Sequence, residues 1–142
     1  MDSVSKKVNQ KITEILTNNK NVAVVGISKK PERPSNEVAN YLKSAGYNII
    51  PINPGYDEVL GIKCYPNLQK AASQTQIDTA VVFRRPEDIP SIAEEAAAAG
   101  VKAFWIQLGL VSDEAAEIAL EAGLDVVMDK CMKVEHLRRG IK

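Results

Sequence analysis

The sequence predicts an α/β protein: a doubly wound, mainly parallel sheet of five or six strands with helices on both faces, forming a three-layer sandwich. First, short apolar runs alternate with longer segments whose apolar residues recur at helical spacing. Second, the first of these runs, "VAVVGI", is continuously apolar, which is typical of a strand buried on both faces. Third, glycines at positions 46, 100 and 123 follow helical segments and are expected to end them.

A helix over about residues 3–18 is expected to open the chain. Its buried stripe is predicted to comprise Val8, Ile12, Ile15 and Leu16. Residues 21–27 follow as the first strand, because they form the continuous apolar run. Residues 35–45 are predicted as the next helix, since their apolar residues have helical spacing and Gly46 provides the stop.

The second strand is expected over residues 47–52. The turn Asn53-Pro54-Gly55 ends it, because proline cannot continue a central strand. Residues 62–65 are predicted as a short edge strand, and residues 67–73 as a short helix.

The second half of the chain repeats the strand-helix unit. A strand at residues 78–83 precedes a helix at about 88–99, which tolerates Pro90 because that residue lies in the first turn. Two acids at positions 113 and 114 favour a helix start there. The remaining predicted elements are strands at residues 101–107 and 124–128 and helices at 112–122 and 130–139.

Composition limits the classes of function. The 142 residues have the length of one domain, expected to comprise an N-terminal helix over residues 1–19 and a core over residues 20–137. The 18 basic and 18 acidic residues cancel, so no bulk field attracts nucleic acid or a membrane. Without an apolar span or signal core, a cytoplasmic location is expected. Two cysteines and one histidine predict neither a disulfide framework nor a metal site.

Ligands of doubly wound sheets bind beyond the carboxyl ends of the strands. At the first such end, "VVGISKKPERPSNEV" runs from a strand through Gly26 into a helix start, where backbone amides can hold a phosphate. The side chains that would add hydroxyls and cations are Ser28, Lys29, Arg33 and Ser35. Taken alone, this stretch is explained equally well as a solvated turn.

The other strand ends sharpen the choice of ligand. Asn53-Pro54 stands where a dinucleotide-binding fold usually has an acid for the ribose hydroxyls, which disfavours NAD or FAD. Phe83-Arg84-Arg85-Pro86 sets an aromatic ring and two guanidiniums at the mouth of the sheet, and these groups suit phosphate and a purine. Gln107 is the candidate for a polar contact, whereas Trp105 is expected in the core.

Together these stretches resemble the small CoA-binding-domain proteins, a family with a Rossmann-like fold that is related to the N-terminal domain of the succinyl-CoA ligase α subunit. The resemblance is carried, in the family's order, by "VVGISKKPERPSNEV", "GYNIIPINPGYDEVLGIKCYPNL", "VFRRPED", "FWIQLG" and "MDKCMKVEH". It covers about residues 20–137.

The resemblance implies that coenzyme A, or an acyl-CoA, lies across the carboxyl ends of the strands. Carried over residue by residue, it implies contacts from Gly26, Ile27, Ser28, Lys29, Arg33, Ser35, Val38, Asn53, Pro54, Phe83, Arg84, Pro86, Gln107 and Gly109. In the ligase, a histidine of a second domain carries the transferred phosphate, and no counterpart of that domain is expected in this chain.

No catalytic constellation is recognised. His136 is expected on the surface of the closing helix, and neither Ser28 nor Ser35 has the spaced partners of a triad. The leading hypothesis is therefore non-catalytic binding of CoA or an acyl-CoA, with a redox or regulatory role. The alternatives are an acyl-CoA-metabolising enzyme, alone or completed by a partner catalytic subunit, and an NAD(P)-binding module. A homo-oligomer is left open.

Cys131 is the candidate reactive thiol. It follows the last strand, beside Lys130 and at an expected helix N-terminus, and both neighbours favour the thiolate. If it faces the bound ligand, a mixed disulfide with the thiol of CoA would follow. A buried and inert cysteine is the alternative, because free cysteines are commonly buried.

Overall fold

A computed structural model describes residues 6–141 of the chain. Seven strands are assigned: β1 Asn21–Val25, β2 Asn48–Ile52, β3 Glu58–Val59, β4 Ile62–Lys63, β5 Thr79–Val82, β6 Ala103–Gln107 and β7 Asp125–Lys130. The helices are α1 Ile12–Asn18, α2 Pro34–Ser44, α3 Leu68–Ala72, α4 Ile89–Ala99, α5 Asp113–Glu121 and α6 Met132–Arg139. A single 3₁₀ turn at Pro86–Asp88 leads into α4. Within the described residues, no helix combines the length and the apolarity needed to cross a membrane.

The main sheet has five strands in the order β2-β1-β5-β6-β7, all paired in parallel. This confirms the predicted doubly wound fold. The chain first moves from β1 outward to β2 and then returns to the other side of β1 with β5. The strand order therefore reverses between β1 and β5, and a ligand of such a sheet is expected beyond their carboxyl ends.

The helices cover the sheet from both sides. One apolar core contains the buried residues of α3, α4 and α5, and a second contains those of α1, α2 and α6. Strand residues alternate between the two cores: Ala23 and Val25 face the first, whereas Val22 and Val24 face the second. Both faces of β1 are buried, as its continuous apolar run predicts.

The predicted edge strand at residues 62–65 is wrong in its pairing. Ile62–Lys63 pairs antiparallel with Glu58–Val59 in a separate two-stranded hairpin. Only Tyr65 reaches the main sheet, in an isolated bridge with Ile52 at the end of β2. The pattern of a two-residue strand carries too little periodicity to identify its partner.

The predicted continuous opening helix is also wrong. Residues 3–5 lie outside the described residues, and α1 begins only at Ile12 because Asn9 has a left-handed φ of 64°. The Asn9 side chain accepts a hydrogen bond from the Met128 amide at 2.8 Å and donates one to the Met128 carbonyl at 3.2 Å. Its backbone amide also donates to Val126 at 2.8 Å. Asn9 thus provides hydrogen-bond partners for backbone groups on the outer edge of β7. An uninterrupted helix would leave these groups without a partner.

Candidate functional site

A cleft of about 910 Å³ opens beyond the carboxyl ends of β1, β5 and β6. Its walls come from the loop after β1, the start of α2, the loop after β5, the loop after β6 and the start of α6. The cleft therefore lies at the reversal of strand order, where the topology predicts a ligand. Its volume is within the usual range for small-molecule and cofactor sites.

Gly26 forms the floor of this cleft directly after β1. Its φ is +88°, a conformation that glycine adopts without strain. A β-carbon at this position would lie 2.5 Å from the Phe83 carbonyl oxygen and 2.8 Å from the Arg84 Cδ. The single glycine thus allows the chain ends of β1 and β5 to approach each other closely.

The loop after Gly26 is held by side chains from two neighbouring elements. Ser35 Oγ accepts a hydrogen bond from the Ser28 amide at 2.9 Å, and Asn36 donates to the Ser28 carbonyl at 2.8 Å. Asn53, after β2, donates to the Ile27 carbonyl at 2.8 Å. The loop is consequently shaped before any ligand binds, and the Ser35 hydroxyl proton is still available to donate.

More basic than acidic residues line the cleft. Its lining contains the basic residues Arg33, Arg84, Arg85 and Lys133, and among the described lining residues Glu37 is the only carboxylate. Lys133 lies 3.6 Å from that carboxylate. A chain whose total charge is zero therefore has a local positive surface here, suited to an anionic ligand.

Asp88 orients the two arginines after β5. Its Oδ2 accepts hydrogen bonds from Arg84 Nη2 at 3.1 Å and from Arg85 Nε at 3.2 Å. These bonds, with the one from Arg84 the stronger influence, hold the pKa of the Asp88 carboxyl below its usual value. The same carboxylate raises the pKa of Arg85.

The far wall is built where β6 and β7 end. Their register shifts between Ile106 and Gln107, so Gln107 pairs with Lys130. Trp105 Nε1 donates to the Lys130 carbonyl at 2.9 Å, which fixes the end of β7. Cys131 follows as the N-cap residue of α6 and lines the cleft. Such bulges commonly redirect side chains beside functional sites.

A second, smaller cavity of about 230 Å³ adjoins the cleft at Gly26 and Arg84. It is lined by residues of β1, β2 and α4, together with Pro54, Pro66 and Asn67. Gly26 and Arg84 line both cavities, so this arginine stands between them.

Most of the predicted contacts line the main cleft. They are Gly26, Ser28, Arg33, Ser35, Val38, Phe83, Arg84, Pro86 and Gln107, together with the candidate thiol Cys131. Pro54 lines the smaller cavity instead.

Four other predicted contacts line neither cavity. Ile27 is fully buried in the core, and Asn53 is engaged within the loops by both ends of its amide. Lys29 lies over the Tyr56 ring, with Nζ 5.0 Å from the ring centroid. Gly109 is exposed, and its amide donates to Asp129 Oδ1 at 2.8 Å. Ile27, Asn53 and Gly109 have structural contacts that position the loops around the site.

Sequence reasoning missed several lining residues: Pro34, Glu37, Leu108, Leu110, Lys133 and Val134. The last two belong to α6, whose approach to the cleft depends on how the closing helix packs against α2. Pro34 and Glu37 lie within the stretch "VVGISKKPERPSNEV". Their closeness in sequence to Arg33, Ser35 and Val38 could have identified them as lining residues.

His136 lies away from the cleft and contradicts the expectation of a surface histidine. It is only 6% exposed, and its ring packs edge-on against Tyr41 and Tyr47. Nδ1 shares a 2.7 Å hydrogen bond with the Tyr41 hydroxyl, whereas the buried Nε2 has no partner among the described residues. Burial, assisted by Lys20, lowers the pKa of His136. The sequence placed His136 on the solvent-exposed face of the closing helix, but the rings of Tyr41 and Tyr47 cover that position.

Burial shifts the pKa of two other groups in this half of the molecule. Burial of the Tyr47 ring, and secondarily the neighbouring Tyr41, raises the pKa of Tyr47 to about 12. Its hydroxyl donates to the Leu16 carbonyl. Burial is the strongest influence on the Cys64 thiol and raises its pKa.

Comparisons with known proteins find relatives along most of the chain. The model of a protein family described as "CoA binding domain" matches residues 20–137. An uncharacterised protein of Bacillus subtilis, YneT, is 45% identical over 125 residues, which are 88% of this chain and 91% of that protein. The solved structure of a hypothetical protein from Pyrococcus horikoshii has 42% identity and a TM-score of 0.87, covering 91% of this chain and 89% of that one.

A larger relative contains this unit as one part. The ADP-forming acetate–CoA ligase of Methanocaldococcus jannaschii is 31% identical over 123 residues. The match covers 81% of this chain but only 17% of the ligase.

Proposed function

Because the chain belongs to the family of CoA-binding domains, as its sequence motifs indicated, we propose that its cleft binds coenzyme A or an acyl-CoA without catalysing a reaction. The observation that carries this proposal is the position of the cleft. A cavity of about 910 Å³ lies at the reversal of strand order, with a glycine floor and a cationic lining. A nucleotide bearing several phosphates and a long arm is the ligand that this combination suits.

The phosphates are assigned to the side of the cleft between β1 and β5. Gly26 lets a phosphate approach the backbone, and α2 begins at the cleft with Pro34, which places the positive end of the helix dipole beside it. Arg84, already oriented by Asp88, supplies a planar pair of donors. We assign the 3′-phosphate of CoA to Arg84, because its position between the two cavities lets it reach a group on either side.

The remaining wall is largely apolar and suits the adenine ring and the pantetheine arm. Val38 and Phe83 line it from α2 and the end of β5, and Pro86, Leu110 and Val134 complete it. Phe83 is only partly buried, so its ring is able to stack on a base.

Binding rather than catalysis is favoured by what lines the cleft. Among its described residues there is no histidine, and Glu37 is already near Lys133. His136 is the single histidine of the chain and is buried away from the cleft. These residues supply no nucleophile paired with a general base.

Two observations keep a partner-completed enzyme as the second candidate. The chain spans about a sixth of the acetate–CoA ligase that it matches, so in that protein most of the chain lies outside this unit. In addition, Leu108 and Val134 on the cleft lining are 60% and 44% exposed, which leaves apolar surface beside the ligand. A catalytic domain supplied by another subunit would cover this side.

An NAD(P)-binding module receives less support. At the end of β2, Asn53 uses its amide nitrogen on the Ile27 carbonyl and its oxygen on the Gly55 amide. It therefore presents no free carboxylate to a ribose, which dinucleotide-binding folds use at this point.

Native mass spectrometry tests the proposal. Purified protein would be titrated with CoA, acetyl-CoA, dephospho-CoA, ATP and NAD under reducing conditions. We expect one CoA or acetyl-CoA per chain, with weaker binding of the other three. A lack of preference for CoA would overturn the proposal. Prolonged incubation with acetyl-CoA separates the two candidates: unchanged acetyl-CoA supports binding alone, whereas turnover by the protein or by a co-purified subunit favours the enzyme.

A further inference from the structure

Cys131 stands at a corner of the cleft that differs from the cationic side. This α6 corner consists of Gln107, Cys131, Lys133 and Val134, all of which line the cleft. It lies at the ends of β6 and β7, whereas Phe83 and Arg84 follow β5. Two strand spacings separate β5 from β7, which is about 10 Å. The corner is thus removed from the proposed phosphate contacts but belongs to the same cavity.

Gln107 is an independent sign that this corner receives a ligand. The residue is only 5% exposed, and its Oε1 accepts a long hydrogen bond from the Met132 amide at 3.4 Å. Among the described residues, none accepts a hydrogen bond from its Nε2. Of the fully buried side-chain nitrogens and oxygens of the described residues, only His136 Nε2 lacks a partner, so Gln107 Nε2 reaches the surface of the cleft, where it can donate. Since Gln107 lines the cleft, an acceptor on a bound molecule, such as an amide carbonyl of the pantetheine arm, would complete it.

The Cys131 thiol is placed to react at this corner. It is partly exposed to the cleft and occupies the N-cap position of the eight-residue helix α6, where its side chain makes no capping hydrogen bond. The other cysteine of the described chain, Cys64, is buried in the apolar core that contains α1, α2 and α6, and it does not line the cleft. Only one of the two thiols therefore faces the proposed ligand.

We propose that Cys131 forms a mixed disulfide with coenzyme A by thiol–disulfide exchange with CoA disulfide bound in the cleft. This inference rests on the proposed CoA site. The Cys131 thiol first loses its proton to solvent. Its thiolate then attacks one sulfur of the CoA disulfide, forming the Cys131 Sγ–S bond and breaking the S–S bond of the ligand. The second CoA leaves as a thiolate with the electron pair. Cys131 is oxidised, one CoA is reduced, and no further oxidant is required.

The geometry gives this exchange its selectivity. Phosphates held near Arg84 and an arm directed along the apolar wall bring the ligand sulfur to the α6 corner. Binding raises the effective concentration of that sulfur at Cys131, an advantage that a disulfide without the nucleotide does not have. The bound adduct would report the ratio of oxidised to reduced CoA.

Intact-protein mass spectrometry with CoA disulfide tests the exchange. We expect one added CoA on Cys131, released by reductant and absent in Cys131→Ser. Cys64→Ala is the matched control and should retain the adduct. The rate should saturate with CoA disulfide and exceed that with glutathione disulfide at least about tenfold. Acetyl-CoA, which occupies the cleft without a free thiol or a disulfide, should slow the reaction.

Gln107→Leu tests the positioning role of the amide. It should slow adduct formation with CoA disulfide but leave alkylation of Cys131 by iodoacetamide unchanged. An equal loss in both reactions would show that Gln107 merely supports α6 and would overturn its assigned contact.

The two proposals fail in different ways. If reduced protein binds CoA but Cys131 forms no adduct, or forms it no faster than with glutathione disulfide, the exchange is overturned and CoA binding stands. If reduced protein shows no preference for CoA, the proposed function fails, and the inference fails with it.

Discussion

A β-carbon on Gly26 would lie 2.5 Å from the carbonyl oxygen of Phe83, closer than packed atoms can approach. Residue 26 follows β1 and residue 83 follows β5, so this contact joins the two strands at which the order of the sheet reverses. The floor of the cleft therefore depends on the absence of one side chain.

Gly26→Ala should destabilise the protein and weaken CoA binding. Alanine is strained at a φ of +88°, and the Phe83 carbonyl must also move. We expect a loss of about 1–3 kcal/mol in the free energy of unfolding, measured by urea denaturation. A fall in CoA affinity, measured by isothermal titration calorimetry, should accompany it because the floor is displaced.

Gly123→Ala is the matched control. Its φ of +89° imposes the same backbone strain, but a β-carbon there has no atom within 4 Å. It should lower stability and leave CoA affinity unchanged. Equal effects of the two substitutions on CoA affinity would contradict the proposed role of the Gly26 contact.

Arg84→Ala should weaken the binding of CoA more than that of dephospho-CoA. A charge-assisted hydrogen bond is worth about 1.5–3 kcal/mol, so the affinity for CoA should fall tenfold or more. Calorimetric titration of both ligands measures the difference. Lys102→Ala removes a cation before β6, at the opposite end of the sheet, and should not alter either affinity. Parallel losses for CoA and dephospho-CoA would assign Arg84 to another group of the ligand.

The buried His136 predicts how stability depends on pH. Its pKa in the folded protein is lower than the ordinary value of 6.5, so the unfolded chain takes up a proton before the folded protein does. The free energy of unfolding should therefore fall as the pH drops below about 6.5, and this contribution is complete at higher pH.

His136→Phe provides the comparison for that pH dependence. Phenylalanine retains a ring between Tyr41 and Tyr47 but does not titrate. It loses the 2.7 Å hydrogen bond to Tyr41, so its stability at pH 7.5 should be lower. Urea denaturation from pH 7.5 to 5.5 should show a shallower decline than in the unchanged protein. If the two curves run parallel, His136 is not the group responsible.

Much of the fold could be predicted because it depends on local patterns. The continuous apolar run before Gly26 indicated a doubly buried strand, and strand β1 is buried on both faces. Glycines 100 and 123 follow α4 and α5 closely, as predicted. Apart from the start of the opening helix, the predicted boundaries lie within two residues of the observed ones, and they shift because the first and last residues of an element make fewer repeating hydrogen bonds.

The candidate site could be predicted only in part. Gly26, Arg84 and Gln107 were found because each stands at the end of a parallel strand, and such ends meet at one edge of the sheet. Lys133 and Val134 were missed, since no strand-end rule applies to the closing helix. Asn53 stays a predicted contact, and its amide donates to the Ile27 carbonyl, a partner 26 residues away.

By itself, the sequence determined the chain order of the five main-sheet strands and of the helices between them, the two-sided burial of the sheet and the membership of the family. Periodicity and motifs encode these properties along a continuous stretch of chain. Only the tertiary structure decided that Asn9 interrupts the opening helix to cap β7, that His136 is enclosed by two tyrosines, and that Cys131 shares a cavity with Arg84. The physical reason is that each of these outcomes depends on contacts between residues far apart in sequence. Local sequence patterns do not distinguish between the possible partners of such contacts, whereas tertiary packing does.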